Sequence, residues 1–325
     1  MNEIQLKYGC NPNQKPSRIF MEDGSDLPVT VLNGKPGYIN FLDAFNGWQL
    51  VKELKEATGL PAATSFKHVS PAGAAVGLPL SDTLAKIYWV DDLGELSPLA
   101  CAYARARGAD RMSSFGDFIA LSDICDTDTA RLIKREVSDG VIAPGYTEEA
   151  LAILKQKKNR VILVMKDFEV PAMQCRTVLN GALVQERDTH VETPEELQQC
   201  TTKGVTPEQV ADLLFANKVV KHSKSNSIVL AKNKMLIASG VGETSRVDAL
   251  KHAIEKAHNF KHDLHGAVMA SDAFFPFADC VEIAHKEGVD AVIQPGGSVR
   301  DGESIDYCNN NGVAMVMTGY RHFKH

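Results

Sequence analysis

The feature that most constrains the fold is a series of short apolar runs separated by helical segments with clear boundaries. Residues 291–293 and 313–317 are apolar runs of strand length. A Pro-Gly-Gly-Ser turn, a helical segment over 301–309 and Gly312 lie between them. Two strands joined through a helix pair in parallel, usually by a right-handed crossover. This order predicts a βαβ unit and an α/β or mixed α/β protein.

Other local signals agree with this fold class. Helical spacing of Leu50, Val51, Leu54 and Ala57 predicts a helix that ends at Gly59. Further strands are predicted over residues 161–165, 228–231 and 235–238, with a tight hairpin at Asn233-Lys234. Two more helix starts are predicted from capping signals and apolar spacing; they are Thr206-Pro207-Glu208-Gln209 and Thr244 or Ser245.

Length and composition limit the class of protein. A chain of 325 residues exceeds the usual size of one hydrophobic core, and the polar stretch 186–204 is the best boundary. We therefore expect domains over 1–195 and 196–325, and find no internal repeat. A net charge of −6 argues against nucleic-acid binding by general phosphate attraction. Seven scattered cysteines without a Cys-x-x-Cys pair indicate a reducing cytoplasm, and no apolar segment reaches membrane-spanning length.

The adjacent Lys67 and His68 are the strongest candidates for chemistry. Imidazole exchanges protons near neutral pH, and a neighbouring ammonium can stabilise a developing negative charge. Because adjacent side chains on a strand point to opposite faces, the backbone must turn here for both to serve one substrate. Pro71 and Gly73 are the residues we expect to supply that turn.

Three competing motifs carry less weight. Residues 240–245 are a degraded G-x-G-x-x-G with Ser at the third glycine, so a glycine loop before a helix is the better interpretation. The zinc-deaminase signature is absent from the sequence. His258, His262 and His265 could share one helix face, but without a carboxylate arrangement they are interpreted as solvated.

Nine stretches together resemble one family, the transformylase half of the bifunctional purine-biosynthesis enzymes. These enzymes join 5-aminoimidazole-4-carboxamide ribonucleotide (AICAR) transformylase to inosine monophosphate (IMP) cyclohydrolase. The stretches follow the family's order and include Lys-Tyr-Gly at 7–9, Ser-Asp-Ala-Phe-Phe-Pro-Phe at 271–277 and Arg-His-Phe-Lys-His at 321–325. The others are residues 31–34, 65–77, 102–117, 135–140, 225–227 and 245–246.

The resemblance implies two cytidine-deaminase-like subdomains with mixed sheets flanked by helices, the second abridged before Ser271. It implies formyl transfer from 10-formyltetrahydrofolate to the 5-amino group of AICAR in a cytoplasmic homodimer, with the active site at the dimer interface. The implied catalytic residues are Lys67, His68, Asn226 and His325. The implied AICAR contacts are Lys7, Tyr8, Gly116, Asp139, Arg246, Phe274 and Arg321. The implied folate contacts are Met112, Ser113, Val247, Pro276 and Phe277. The resemblance also suggests K⁺ near Ser223, Ser225, Ser227 and Asp272.

The sequence departs from the family at several places. Lys7 stands where Arg is common, Asn13 replaces a frequent His, and Cys280 stands where many members have Asn. The cyclohydrolase domain would precede Leu6, so we expect a shortened, stand-alone transformylase with the cyclohydrolase on another chain. A non-catalytic AICAR sensor that has lost folate binding is the alternative.

Overall fold

The computed structural model describes residues 2–325, which form sixteen strands, nine α-helices and one short 3₁₀ helix (Pro194–Glu196). The strands are β1 (Glu3–Leu6), β2 (Ser17–Phe20), β3 (Val29–Asn33), β4 (Ala62–Lys67), β5 (Ser70–Val76), β6 (Asp117–Leu121), β7 (Ser138–Ala143), β8 (Val161–Met165), β9 (Met173–Val178), β10 (Gly181–Glu186), β11 (Gln198–Gln199), β12 (Ile228–Ala231), β13 (Leu236–Gly240), β14 (Val268–Ser271), β15 (Ala291–Gln294) and β16 (Ala314–Met317). The helices are α1 (Tyr38–Thr58), α2 (Asp82–Ile87), α3 (Pro98–Ala109), α4 (Thr127–Arg135), α5 (Glu148–Lys155), α6 (Pro207–Lys221), α7 (Arg246–Asn259), α8 (Asp279–Lys286) and α9 (Asp301–Asn311).

The first large sheet has the strand order β3-β8-β7-β6-β4-β5. Strands β6, β7 and β8 are parallel, whereas β4 runs antiparallel to β5 and β6, and β3 runs antiparallel to β8. Apolar side chains of α1 pack with one face of this sheet, and those of α3, α4 and α5 pack with the other. The mixed α/β class predicted from the sequence is confirmed.

The second large sheet repeats the first. Its order is β11-β16-β15-β14-β12-β13, with the same pattern of strand directions. Helix α6 takes the place of α1, and α7, α8 and α9 take the places of α3, α4 and α5. The sequence shows no internal repeat, so this duplication is visible in the structure alone. Many different apolar sequences satisfy one topology, so two units can share a fold without a repeat in their sequences.

Each unit contains a β-hairpin whose two turn residues both have positive φ. The turn His68-Val69 (φ 51° and 66°) joins β4 to β5, and Asn233-Lys234 (φ 53° and 51°) lies before β13. The Asn233-Lys234 turn confirms its prediction. The turn at His68 was also expected, but Pro71 and Gly73 do not form it, because both lie within β5.

The two units share their hydrophobic cores. Each of the two apolar clusters contains buried residues from both sheets and from helices of both units. The edge strand β5 meets the second unit through a bridge between Ala75 and Met235. At this junction the buried Arg105 donates hydrogen bonds to the carbonyls of Val76 and Asn233. The predicted boundary at 195/196 falls between the two sheets and stays a prediction.

Most local predictions are confirmed. Helix α1 ends at Gly59 (φ 68°), Thr206 caps α6 in a capping box, and Ser245 caps α7. Strands β15 and β16 pair in parallel with α9 between them. The interpretation of the three histidines is wrong in part. Helix α7 ends at Asn259, and the partly buried His262 contacts the carbonyls of Gly108 and Ala109. Among residues 2–325, no helix is long and apolar enough to cross a membrane.

Candidate active site

Lys67 and His68 lie at the tip of the β4–β5 hairpin. Lys67 is the last residue of β4 and pairs with Ser70, while the His68 side chain is exposed beyond it. The turn is held from α1, because the Val69 amide donates to Asp43 Oδ1 over 2.6 Å. Burial raises the pKa of Asp43, and the hydrogen bond from Val69 opposes that rise. The imidazole and the ammonium thus share one anchored turn.

The ammonium of Lys67 reaches the loop before β6. Its Nζ donates to the carbonyls of Phe115 and Gly116, each over 2.9 Å. A Cβ built on Gly116, whose φ is 72°, would lie 3.1 Å from Lys67 Nζ and 3.7 Å from Asp139 Oδ1. The structure therefore brings Lys67, Gly116 and Asp139 together. Any other residue in place of Gly116 would push its Cβ against the Lys67 ammonium.

Buried polar residues support this loop from beneath. Ser65 Oγ makes hydrogen bonds to Ser114 Oγ (2.8 Å) and Asp117 Oδ2 (2.6 Å), and Arg107 Nη1 donates to the Ser114 carbonyl (2.8 Å). Burial raises the pKa of Asp117 to about 7, against the opposing effect of the nearby Arg107. The sequence reasoning missed Asp43, Arg107 and Asp117, because helix or strand spacing alone does not reveal which loop a side chain supports.

A second group of predicted residues meets around Arg246, at the start of α7. Arg246 Nη2 donates to Asn226 Oδ1 (2.9 Å) and forms an ion pair with the buried Asp272 (2.7 Å). Its Nε donates to Ser271 Oγ (2.9 Å), and Asn226 Nδ2 donates to the Glu243 carbonyl (3.0 Å). Nε and Nη2 of Arg246 are thus bound by protein groups, whereas Nη1 takes no part in these bonds.

The C-terminal residues are docked beside Asn226. Lys324 and Ser225 exchange two hydrogen bonds of 2.9 Å, and the His322 amide donates to the Asp272 carbonyl over 3.0 Å. The Arg321 guanidinium lies 4.4 Å from the Phe323 ring, whose centroid is 5.6 Å from that of His325. The chain end is therefore tied to the segment that carries Asn226.

Two connections bring the residues around Lys67 close to the residues around Asn226. The Lys224 amide donates to Ser70 Oγ over 3.3 Å, which joins the segment before Asn226 to the residue after the His68-Val69 turn. Helix α1 supplies the second connection, since Asn46 accepts a hydrogen bond from Lys324 Nζ one turn away from Asp43. The turn, Asn226 and the C-terminal residues thus converge within one chain.

The remaining predicted residues are more dispersed. Lys7 Nζ lies 5.9 Å from the Tyr8 ring, after β1 and apart from the contacts above. Met112 is exposed and Ser113 hydrogen-bonds to Asp110, whereas Val247 packs partly buried against the core. Phe274, Pro276 and Phe277 are exposed, and Arg300 covers the Phe277 ring at 4.5 Å. Two described cavities, of about 860 and 1050 Å³, are lined by other residues.

The duplicated mixed sheets and this convergence define an α/β protein with a polar site beside the junction of two related units. Residues 1–256 match the family described as the AICARFT/IMPCHase bienzyme, and the chain belongs to that family.

Individual relatives that align over nearly the whole of this chain agree with the family match. The chain is 48% identical over 325 residues to the bifunctional purine biosynthesis protein PurH of Bacteroides thetaiotaomicron, covering 100% of this chain and 59% of that protein. It is 42% identical to PurH of Aquifex aeolicus, covering 99% of this chain and 59% of the relative. PurH of Acetivibrio thermocellus is also 42% identical, covering 98% and 59%. The chain thus spans about 59% of the length of these relatives.

Proposed function

We propose that this chain is an AICAR transformylase, which moves a formyl group from 10-formyltetrahydrofolate to the 5-amino group of AICAR in purine (IMP) biosynthesis. The observation that carries the proposal is the convergence of the Lys67-His68 turn with Asn226 and the C-terminal residues, in a chain of this family. The relatives are named as bifunctional purine biosynthesis proteins, which supports the same pathway.

In this mechanism the turn supplies both proton transfer and charge stabilisation. His68 accepts the proton of the 5-amino group as it attacks the formyl carbon. A lysine ammonium has three donors, and the Phe115 and Gly116 carbonyls use two in Lys67. The third is free to donate to the oxygen of the tetrahedral intermediate or to the departing folate nitrogen.

The other predicted residues take binding roles. Asn226 is held by Arg246 and orients the reacting groups, and His325 lies next to the residue that binds Ser225. Asp139 can accept hydrogen bonds from ribose hydroxyls beside Gly116, where backbone approach is close. Lys7, Tyr8, Phe274 and Arg321 complete the AICAR contacts. Met112, Ser113, Val247, Pro276 and Phe277 form the folate contacts.

The proposal includes a K⁺ site near the Asn226 segment. Ser227 Oγ and Asp272 Oδ2 are buried without a hydrogen-bond partner among the described residues, and hard oxygen donors suit an alkali cation. Ser225 Oγ and Ser223 Oγ already bond to Lys324 and Val219, so Ser227 and Asp272 would hold the ion. Exchanging K⁺ for Na⁺ in the assay tests this part, and equal rates would remove it.

We also propose a cytoplasmic homodimer, which would complete the dispersed folate contacts from a second copy. The exposed Met112 (79%) and Phe115 (64%) beside Lys67 support a partner surface there. Sedimentation of the purified chain tests the dimer, and a monomer at micromolar concentration would contradict it.

The experiment for the function mixes purified protein with AICAR and 10-formyltetrahydrofolate and follows release of tetrahydrofolate. We expect turnover, and we expect His68→Ala to lower kcat by about 100-fold or more, since removal of a general base commonly costs 10²–10⁴. A chain that binds AICAR without turnover would instead be the sensor. Unchanged turnover in His68→Ala would remove the assignment of the base.

A further inference from the structure

The two hairpin turns have the same supporting device. In the first unit, Asp43 on α1 accepts from the amide of Val69. In the second unit, Asp212 on α6 accepts from the amides of Asn233 and Lys234, each over 2.7 Å. Both aspartates are buried, with 6% and 8% of their surface exposed. The repeat therefore pairs a buried carboxylate with a left-handed turn twice in one chain.

The two turns differ in the conformational strain of their backbone. Asparagine tolerates positive φ, so Asn233 fits its turn with little strain. Val69 is β-branched and has a φ of 66°, which is an outlier for this residue type. Such conformations persist where the surroundings enforce them, and they cluster at functional sites. The strained turn is the one that carries His68.

Asp43 is placed to enforce that conformation. Its Oδ1 lies 2.6 Å from the Val69 nitrogen and accepts the hydrogen bond of that amide. Successive backbone amides in a turn form a concave site that attracts an anion, and the Asp43 carboxylate occupies this position at the Val69 amide. Because α1 also contacts Lys324 through Asn46, the same helix fixes the turn relative to the C-terminal residues.

We propose that Asp43 is a positioning residue: its buried carboxylate holds the His68-Val69 turn in the left-handed conformation that aims Lys67 and His68 at one substrate. This inference rests on the proposed function for the chemistry of Lys67 and His68, whereas the conformational role of Asp43 stands on the contacts alone. Asp212, which accepts from the amides of a turn outside the site in the same way, provides the matched control.

The test compares Asp43→Ala, Asp43→Asn and Asp212→Ala in the full chain. We expect Asp43→Ala to lower kcat by about 100-fold, since a displacement of about 1 Å at reacting groups costs that much, with a smaller change in the KM for AICAR. Asp43→Asn keeps one acceptor oxygen and should recover part of the loss. Asp212→Ala should lower the melting temperature similarly but leave kcat within about twofold of wild type, because its turn carries no reacting group.

A second substitution separates positioning from general destabilisation. Glycine adopts positive φ freely, so Val69→Gly in the Asp43→Ala background should raise kcat by about tenfold, in line with a left-handed cost of 1–2 kcal/mol. Equal losses of kcat in Asp43→Ala and Asp212→Ala, or no gain from Val69→Gly, would overturn the proposal.

Amide hydrogen exchange gives a readout that does not need activity. Asp43→Ala should speed exchange in residues 65–73, and Asp212→Ala should speed it around Asn233 instead. Unchanged exchange in residues 65–73 would reject the positioning role even in an active enzyme. If the wild-type chain shows no turnover while exchange responds as expected, the proposed function fails and the role of Asp43 in shaping the turn remains.

Discussion

At the scale of single residues, the backbone conformation of Gly116 determines where the Lys67 side chain lies. Its φ of 72° lies in the region that favours glycine, and Lys67 Nζ occupies the space next to the missing Cβ. The Gly116 carbonyl is also one of the two acceptors of that ammonium. One residue thus positions Lys67 both by its carbonyl and by the absence of a side chain.

We expect Gly116→Ala to lower stability by about 1–2 kcal/mol through backbone strain and to lower kcat by about tenfold or more through displacement of Lys67. Gly24→Ala is the matched control, because Gly24 has a φ of 75° with no atom within 4 Å of the added Cβ. Urea denaturation and the tetrahydrofolate assay check both variants. A Gly116→Ala enzyme as active as Gly24→Ala would contradict the role of Gly116.

At the scale of elements, ionisable groups around the buried His322 help to attach the C-terminal segment. His322 is 2% exposed and contacts Asp188 Oδ2 (2.7 Å) and Glu192 Oε1 (2.6 Å). Burial disfavours the charged ring, but the hydrogen bonds to both carboxylates raise the pKa of His322 to about 9. The pKa values of Asp188 and Glu192 are lowered despite burial, through their bonds to His322.

Because the folded pKa of His322 exceeds its ordinary value, its contribution to stability is complete below about pH 6.5 and is lost as the pH rises through about 9. We expect the free energy of unfolding of wild type minus that of His322→Gln to fall by roughly 2–3 kcal/mol over this range, the lower figure allowing for the half-exposed Asp188.

Urea denaturation at pH 6.5 and pH 9.5 measures this difference. Burial also lowers the pKa of Lys324, to about 8, but Lys324 is present in both proteins and its contribution should largely cancel. A difference that does not change with pH would contradict the ion pairing of His322.

The elements also show what sequence can predict. Capping residues and apolar runs are local, so the start of α6, the limits of β8 and β12 and the Asn233-Lys234 turn follow from the sequence. The β9–β10 hairpin was not predicted, since all its residues are exposed and no burial pattern marks it. Asp43 and Asp117 were missed because their roles depend on contacts 26 and 52 residues away in the chain.

At the scale of the whole molecule, the two units are joined through common cores and repeat the same close contacts. Gly73 on β5 passes against α3, where an added Cβ would overlap the Ala106 carbonyl oxygen. Gly240 on β13 passes against α7 in the same way, where a Cβ would overlap the Ala249 carbonyl oxygen. Each unit therefore requires a glycine where its second hairpin strand passes against a helix, although the two glycines lie at different distances from their turns.

We expect Gly73→Ala and Gly240→Ala to destabilise the whole chain by similar amounts, each about 3 kcal/mol or more, since backbone must move to admit the methyl group. Because the cores are shared, each variant should unfold in one thermal transition at a lower temperature, as calorimetry would show. Gly302→Ala, with no atom within 4 Å of the added Cβ, should be close to neutral. Two resolved transitions in either variant would show that the units unfold separately.

The duplicated hairpin has a further consequence for protein engineering. The β12–β13 turn already has the left-handed geometry and the aspartate support of its counterpart, but it holds Asn233 and Lys234 instead of His68 and Val69. The His68-Val69 sequence could therefore be introduced into this turn by substitution. A chain with such a graft would measure how much reactivity loop shape alone confers when the surrounding pocket is missing.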